Sequence, residues 1–220
     1  MCGRYTLKTP INGLAERFEI EEYPSSLNPS YNIAPTQEVA AVVEEDEKRK
    51  LEMFHWGLIP SWAKDPAIGN KMINARAETV SEKPSYRSAF KKRRCLILAD
   101  GFYEWQKTDN GKQPYYIKMQ DDSPFAFAGL WEVWQDGEEI RSSTIITTDA
   151  NDLMGEIHHR MPVILHPENY GAWLDPDFDE KEALIDLLKP YPSNEMEAYA
   201  VSRRVNKPSN NEPSVVEPAA

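Results

Sequence analysis

Short β-prone runs, each cut off after a few residues by Pro, Gly, Asn or a charged cluster, dominate this chain and restrict its fold. They occupy residues 39–43, 51–56, 95–99, 115–119, 125–134, 143–148, 160–165 and 198–201. Apolar runs of this length, rich in Val, Ile, Phe, Tyr and Trp, read as strands. Asp109-Asn-Gly111 is a turn signal between two of them, and the charged stretch 44–50 reads as a solvated turn. Helical spacing is confined to residues 10–23, 168–173 and 180–188. The last sets Leu184, Leu187 and Leu188 on one face before Pro190. Many short strands with few helices predict an α+β fold with mainly antiparallel pairing. Residues 28–36, broken by Pro29 and Pro35, read as a loop, as does the Pro-broken stretch 56–63. From Asn206 the chain is rich in Pro, Ser, Asn and Glu. A single domain over 2–205 and a poorly packed tail over 206–220 are therefore expected. No internal repeat is visible.

At 220 residues with 40% apolar content and six Trp, the chain suits one domain with a real core. No apolar run approaches the roughly 18–20 residues of a membrane helix, and the N-terminus lacks the apolar stretch of a secretory signal. Cys2 and Cys95 make no disulfide framework. A cytosolic globular protein is expected. The net charge of -11 counts against nonspecific polyanion binding. Its distribution is uneven, because eight basic residues between Lys71 and Trp105 face four acidic ones. That stretch is net +4, which leaves -15 for the rest.

Cys2 is the most informative position. Removal of Met1 leaves one residue carrying a thiol and an α-amine, with ordinary pKa values of about 8.5 and 7.7–8.0. Such a 1,2-aminothiol condenses with an aldehyde: the amine forms an imine and the sulfur closes a thiazolidine ring. Met-Cys-Gly equally opens N-terminal-nucleophile amidotransferases, where the thiol attacks a carbonyl, and Cys2 alone does not separate the two. It also fits an incidental residue of a frayed terminus. Asn74, Arg76 and Glu78 share one face at strand spacing, and Arg76 offers a fork suited to phosphate; a plain solvated face has the same pattern. Glu104 lies between Tyr103 and Trp105, where desolvation favours the protonated carboxyl that proton transfer needs. His158, in His158-His-Arg-Met-Pro162, is matched to proton transfer near neutrality, although a lone His is more often structural. The four histidines fit no HExxH pattern and there is no CxxC, so no metal is expected. No glycine-rich nucleotide motif is present, and no cofactor is expected. Aromatic residues in or near the basic stretch, among them Trp56, Trp62 and Phe90, are the ingredients of a single-strand groove, although most such residues belong to cores.

Taken together, these segments resemble the SOS-response-associated peptidase (SRAP) family. The resemblance rests on Met1-Cys-Gly-Arg-Tyr5, Tyr31-Asn-Ile-Ala-Pro-Thr36, Trp56-Gly-Leu-Ile-Pro60, Asn74-Ala-Arg-Ala-Glu-Thr79, Asp100-Gly-Phe-Tyr-Glu-Trp105, Phe127-Ala-Gly-Leu-Trp131, Thr147-Thr-Asp-Ala-Asn151 and His158-His-Arg-Met-Pro-Val-Ile-Leu165. They occur in the family's order and span about residues 2–205. The resemblance implies a barrel-like single domain with short peripheral helices. It also implies covalent capture of abasic sites in single-stranded DNA, with possible lyase and self-processing activity. Carried over residue by residue, it makes Cys2 the nucleophile, freed by loss of Met1. Glu104 becomes the proton-transfer residue, His158 the residue that positions the sugar, and Asn74 a residue that positions the amine or the sugar. Arg4, Arg76 and Arg160 become phosphate contacts, and Pro35, Trp56, Trp62 and Phe90 strand or base contacts. His159 takes no role. An N-terminal-nucleophile amidohydrolase and a noncatalytic reader of modified DNA are the alternatives. No membrane or obligate protein partner is implied.

Overall fold

The computed structural model describes residues 2–219. Its centre is a ring of strands. β3 (Glu38–Glu45) and β4 (Lys48–Trp56) form a hairpin across Asp46 and Glu47, both at positive φ. That is the backbone of a type I′ turn, whose twist matches its strands. β6 (Arg94–Ala99), buried along its whole length, pairs antiparallel with β3 and with β9 (Phe125–Asp136). A tight turn at Gly137 returns the chain as β10 (Glu138–Asp149), antiparallel to β9. β10 then lies parallel to β4 and closes the circuit β10–β4–β3–β6–β9. Closure leaves no edge within the ring, and the runs read as strands in the sequence become its staves. The short strands β5 (Asn74–Arg76), β11 (Arg160–Pro162) and β12 (Ile164–Leu165) extend this sheet by pairing with β10, β10 and β9.

The second sheet is open. Its order is β13–β8–β7–β1–β2, built from β1 (Tyr5–Leu7), β2 (Ser30–Ile33), β7 (Gly101–Thr108), β8 (Gly111–Met119) and β13 (Met196–Ala200). The antiparallel expectation holds for most pairs; the exceptions are β10 with β4 and with β5. The helices α1 (Ile11–Phe18), α2 (Arg87–Lys92), α3 (Asp152–Gly155), α4 (Tyr170–Leu174) and α5 (Lys181–Asp186) are short and peripheral. Among the described residues, no helix is long and apolar enough to cross a membrane.

Two local readings change. Residues 30–33, inside the expected loop, form β2 because Pro29 precedes the strand and leaves its ladder intact. Residues 206–219, expected as a loose tail, lie against the second sheet. Val215 is fully buried, Ala219 N–H donates to Ala200 O at 2.8 Å, and Tyr199 Oη donates to Val216 O at 2.8 Å. Side chains from distant parts of the chain fasten the segment. Buried Asn32 on β2 uses its Nδ2 on the carbonyls of Val205, Lys207 and Asn210, at 3.2, 3.1 and 2.8 Å.

Candidate active site

β1 pairs with β7 through Tyr5 and Phe102, and Tyr103 N–H donates to Arg4 O at 2.9 Å. The chain ahead of β1 therefore runs alongside β7 towards Glu104, which carries Cys2 to the Glu104 end of the strand. Cys2 is fully buried. Asn74, at the start of β5, donates its Nδ2 to Cys2 O at 2.8 Å, so Cys2 is tethered by its backbone and its sulfur is left unengaged by that bond. The other end of the same amide, Asn74 Oδ1, is buried and has no hydrogen-bond partner among the described residues. Burial, reinforced by the nearby Glu104 carboxylate, pushes the Cys2 thiol up to about 12. Nucleophilicity at neutral pH then requires a base to take the thiol proton during reaction. Met1, whose removal the aminothiol chemistry needs, lies outside the described residues.

Glu104 and His158 meet in a groove of about 850 Å³, lined also by Trp105, Gln106, Lys107, Lys112, His159 and Asn206. Glu104 is 5% exposed, with Trp105 N–H directed to its Oε1 at 3.2 Å. His158 follows α3, whose N-terminus is capped by Asn151: its Oδ1 accepts Met154 N–H at 2.9 Å. His158 Nδ1 lies 3.0 Å from Arg160 N and 3.2 Å from Arg160 O, so the Arg160 backbone fixes the position of the ring. Desolvation lowers the His158 pKa, opposed by the Glu104 carboxylate, which favours the neutral ring. His159, given no role by the sequence, stacks on His158 with ring centroids 4.4 Å apart and forms part of the groove.

The expected DNA contacts divide. Arg76 and Trp62 are exposed, Trp62 at 59%, and Pro35 is half-buried. Arg4 is half-buried, donating from Nη1 to Asn32 Oδ1 and Val205 O, each at 2.7 Å, and lying over the Trp105 ring. Trp56 and Phe90 are corrections. Trp56 is fully buried, donates to Ile73 O at 3.0 Å and packs edge-on against Tyr5. Phe90, on the inner face of α2, packs edge-on against Trp173. Neither ring presents a face to a strand. Arg160 is also committed internally: Nη1 bonds Glu78 at 2.6 Å and Asp149 at 2.8 Å, and Nη2 bonds Thr147 O at 2.7 Å. Arg94, counted in the basic stretch, is 2% exposed and bonded to backbone carbonyls, among them Trp173 O at 2.6 Å. Sequence proximity to lysines did not imply exposure. Asn32 and Trp105, which join Arg4 to the C-terminal segment, were missed; Trp105 Nε1 donates to Asn206 Oδ1 at 2.8 Å.

A closed β-ring and an open sheet that together bring Asn74 onto Cys2, beside a groove lined by Glu104 and His158, define a class of proteins with a buried cysteine next to acid–base groups. The chain belongs to the SOS response associated peptidase (SRAP) family, whose model matches residues 1–208. It is 47% identical over 222 residues to the abasic site processing protein YoqW of Bacillus subtilis, with 99% of each chain covered. It is 31% identical to the abasic site processing protein YedK of Escherichia coli, covering 99% of this chain and 100% of that one. A crystal structure of a protein from Bacteroides thetaiotaomicron superposes with a TM-score of 0.91 at 33% identity, covering 100% of both chains.

Proposed function

We propose that this protein processes abasic sites in single-stranded DNA by covalent capture, forming a thiazolidine between Cys2 and the C1′ aldehyde of the ring-opened sugar. The observation that carries the reading is the tether of Cys2 by Asn74 beside a groove that holds both Glu104 and His158. The names of the two relatives from Bacillus subtilis and Escherichia coli, both abasic site processing proteins, support the same substrate.

Loss of Met1 frees the α-amine. The unpartnered Asn74 Oδ1 is an acceptor suited to orient that amine's N–H. The amine nitrogen attacks C1′, and the carbonyl oxygen takes a proton to give a carbinolamine. A second proton transfer expels that oxygen as water and leaves an imine. The Cys2 sulfur then adds to the imine carbon, its proton passes to the imine nitrogen, and the ring closes. The sum is aldehyde plus aminothiol giving thiazolidine plus one water, with no oxidant or metal in the balance. Glu104 is placed to carry these protons, a contribution worth about 10²–10⁴ in rate. His158, held at the groove wall by the Arg160 backbone, positions a sugar oxygen. The thiol, held protonated, stays unreactive towards other electrophiles until the imine is made. The same imine gives access to lyase chemistry by β-elimination, and self-removal of Met1 would draw on the same thiol.

The test is a denaturing gel of purified protein mixed with single-stranded DNA bearing one abasic site. The wild type yields a shifted species that survives denaturation, and Cys2→Ala yields none. Cys2→Ser retains the amine and forms an imine only, so its adduct persists after borohydride reduction and not without it. Normal crosslinking by a protein with a chemically blocked N-terminus overturns the mechanism.

A further inference from the structure

The groove beside Cys2 continues past the residues that handle the aldehyde. β1 pairs with β7 at Phe102 and Gly101 and the preceding Arg4 O takes Tyr103 N–H, so the ladder of Glu104–Thr108 is with β8, and Glu104, Trp105, Gln106 and Lys107 line the groove. At the far end, Lys107 and Lys112 are direct cross-strand partners. Cross-strand partners project from the same face, and like charges so placed destabilise a hairpin. Both lysines are exposed, both line the groove, and neither forms an ion pair among the described residues. Arg203 adds a third exposed cation at the same tip, its Nη2 donating to Asn110 O in the hairpin turn at 3.0 Å. The turn is tight: Thr108 pairs with Gly111, which sits at φ +100°. Gln106 Nε2 donates to Glu156 O at 2.8 Å and fastens the hairpin to the segment that leads to His158. The nearby acidic groups are Asp109 in the turn and Glu156 on the opposite wall, both exposed.

In a chain of net charge -11, a same-face lysine pair with an added arginine, continuous with the reaction groove, matches one ligand chemistry: consecutive phosphodiesters of a strand leaving that groove. We propose that the β7–β8 hairpin tip, through Lys107, Lys112 and Arg203, is a binding site for the backbone of the lesion-bearing strand on one side of the captured sugar. This rests on the reading of the groove as an abasic-site pocket and adds a direction to it. Three strand residues at about 3.3 Å each put Lys107 roughly 10 Å from Glu104, a distance that a few nucleotides of single strand span. The site therefore engages phosphates within the first few nucleotides of one flank, and the flank on the other side of the lesion does not touch it.

The experiment measures equilibrium binding of single-stranded oligonucleotides carrying a tetrahydrofuran site, which has no aldehyde, by fluorescence anisotropy over a salt series. The wild type is compared with Lys107→Ala/Lys112→Ala. Removing a like-charged pair keeps or raises Tm, so misfolding is not the expected route to loss. The variant binds several-fold more weakly at low salt, and its slope of log K against log salt is smaller by about 1.4, two phosphates at about 0.7 each. Shortening one flank to a single nucleotide weakens the wild type and leaves the variant almost unchanged; shortening the other flank affects both alike. The tetrahydrofuran site carries no aldehyde and cannot be captured, so this binding is read apart from crosslinking by abasic DNA, and failure of the hairpin site and failure of aldehyde capture are separable. Equal salt slopes for the two proteins overturn the proposal. Equal sensitivity of wild type and variant to both flanks overturns it too, as does a difference that emerges only when a complementary strand is annealed.

Discussion

The surroundings of the two cysteines differ in the property that separates a reaction site from a core. Both residues are fully buried and both thiols are pushed up. For Cys95 the cause is burial alone. It sits inside the closed ring on β6, opposite Gly129, where an added Cβ would come within 2.8 Å of its sulfur and 2.9 Å of Ile97. Trp173 Nε1 donates to the Cys95 backbone carbonyl at 3.0 Å, and no charged group contributes to the shift of the thiol. For Cys2 a carboxylate contributes to the shift, an Asn side chain holds the backbone, and an unpartnered amide oxygen lies beside it. A dry ring protects a thiol by packing; the mouth of the open sheet restrains one while keeping acid–base groups within reach. Burial by itself therefore says little about whether a cysteine works.

The comparison breaks most readily by exchanging the two roles. Cys2→Ala abolishes the adduct, whereas Cys95→Ala crosslinks at the wild-type rate. The latter costs about 1 kcal/mol of stability, as for one buried methylene, measured by urea unfolding.

Glu104→Gln gives the next largest effect, with opposite signs in two assays. Adduct formation slows by about 10²–10⁴ because the proton carrier is gone. Alkylation of Cys2 by iodoacetamide speeds up, because removing a negative charge lowers the thiol pKa. In the wild type that alkylation rises about tenfold per pH unit from 7 to 11, below the thiol's value of about 12. A shared direction in the two assays would contradict the assignment of Glu104.

Two arginines sharpen the comparison further. Arg160→Ala lowers Tm by roughly 4–8 °C, an effect of about 2 kcal/mol from lost charged hydrogen bonds, and leaves the salt slope of DNA binding unchanged. Arg76→Ala leaves Tm alone and reduces that slope by about 0.7. Calorimetry and a salt titration of the same two proteins check both.

The division between ring and mouth also marks what was legible in the sequence. β3, β4, β6, β9 and β10 announce themselves because a stave of a filled ring is a continuous or alternating apolar run, and local pattern carries that. β1, β2 and β5 span three or four residues each, too short for any period to register, yet they bring residues 2, 32 and 74 into place. The site joins positions 2, 74, 104 and 158, a juxtaposition that only the folded topology or a family resemblance reveals. Trp56 and Phe90 were misplaced because aromatic residues beside lysines have the same composition whether they stack on bases or fill a core. The C-terminal segment was misjudged because its stabilising bonds come from Asn32, more than 170 positions away in the chain.

Peptide mass spectrometry of the protein after reaction with abasic DNA addresses the central claim most directly. The account predicts the sugar on the Cys2–Arg4 tryptic peptide, with Met1 absent and a mass equal to the two reactants less one water. A lesion attached to a lysine or to Cys95, or to a peptide that still carries Met1, would contradict it.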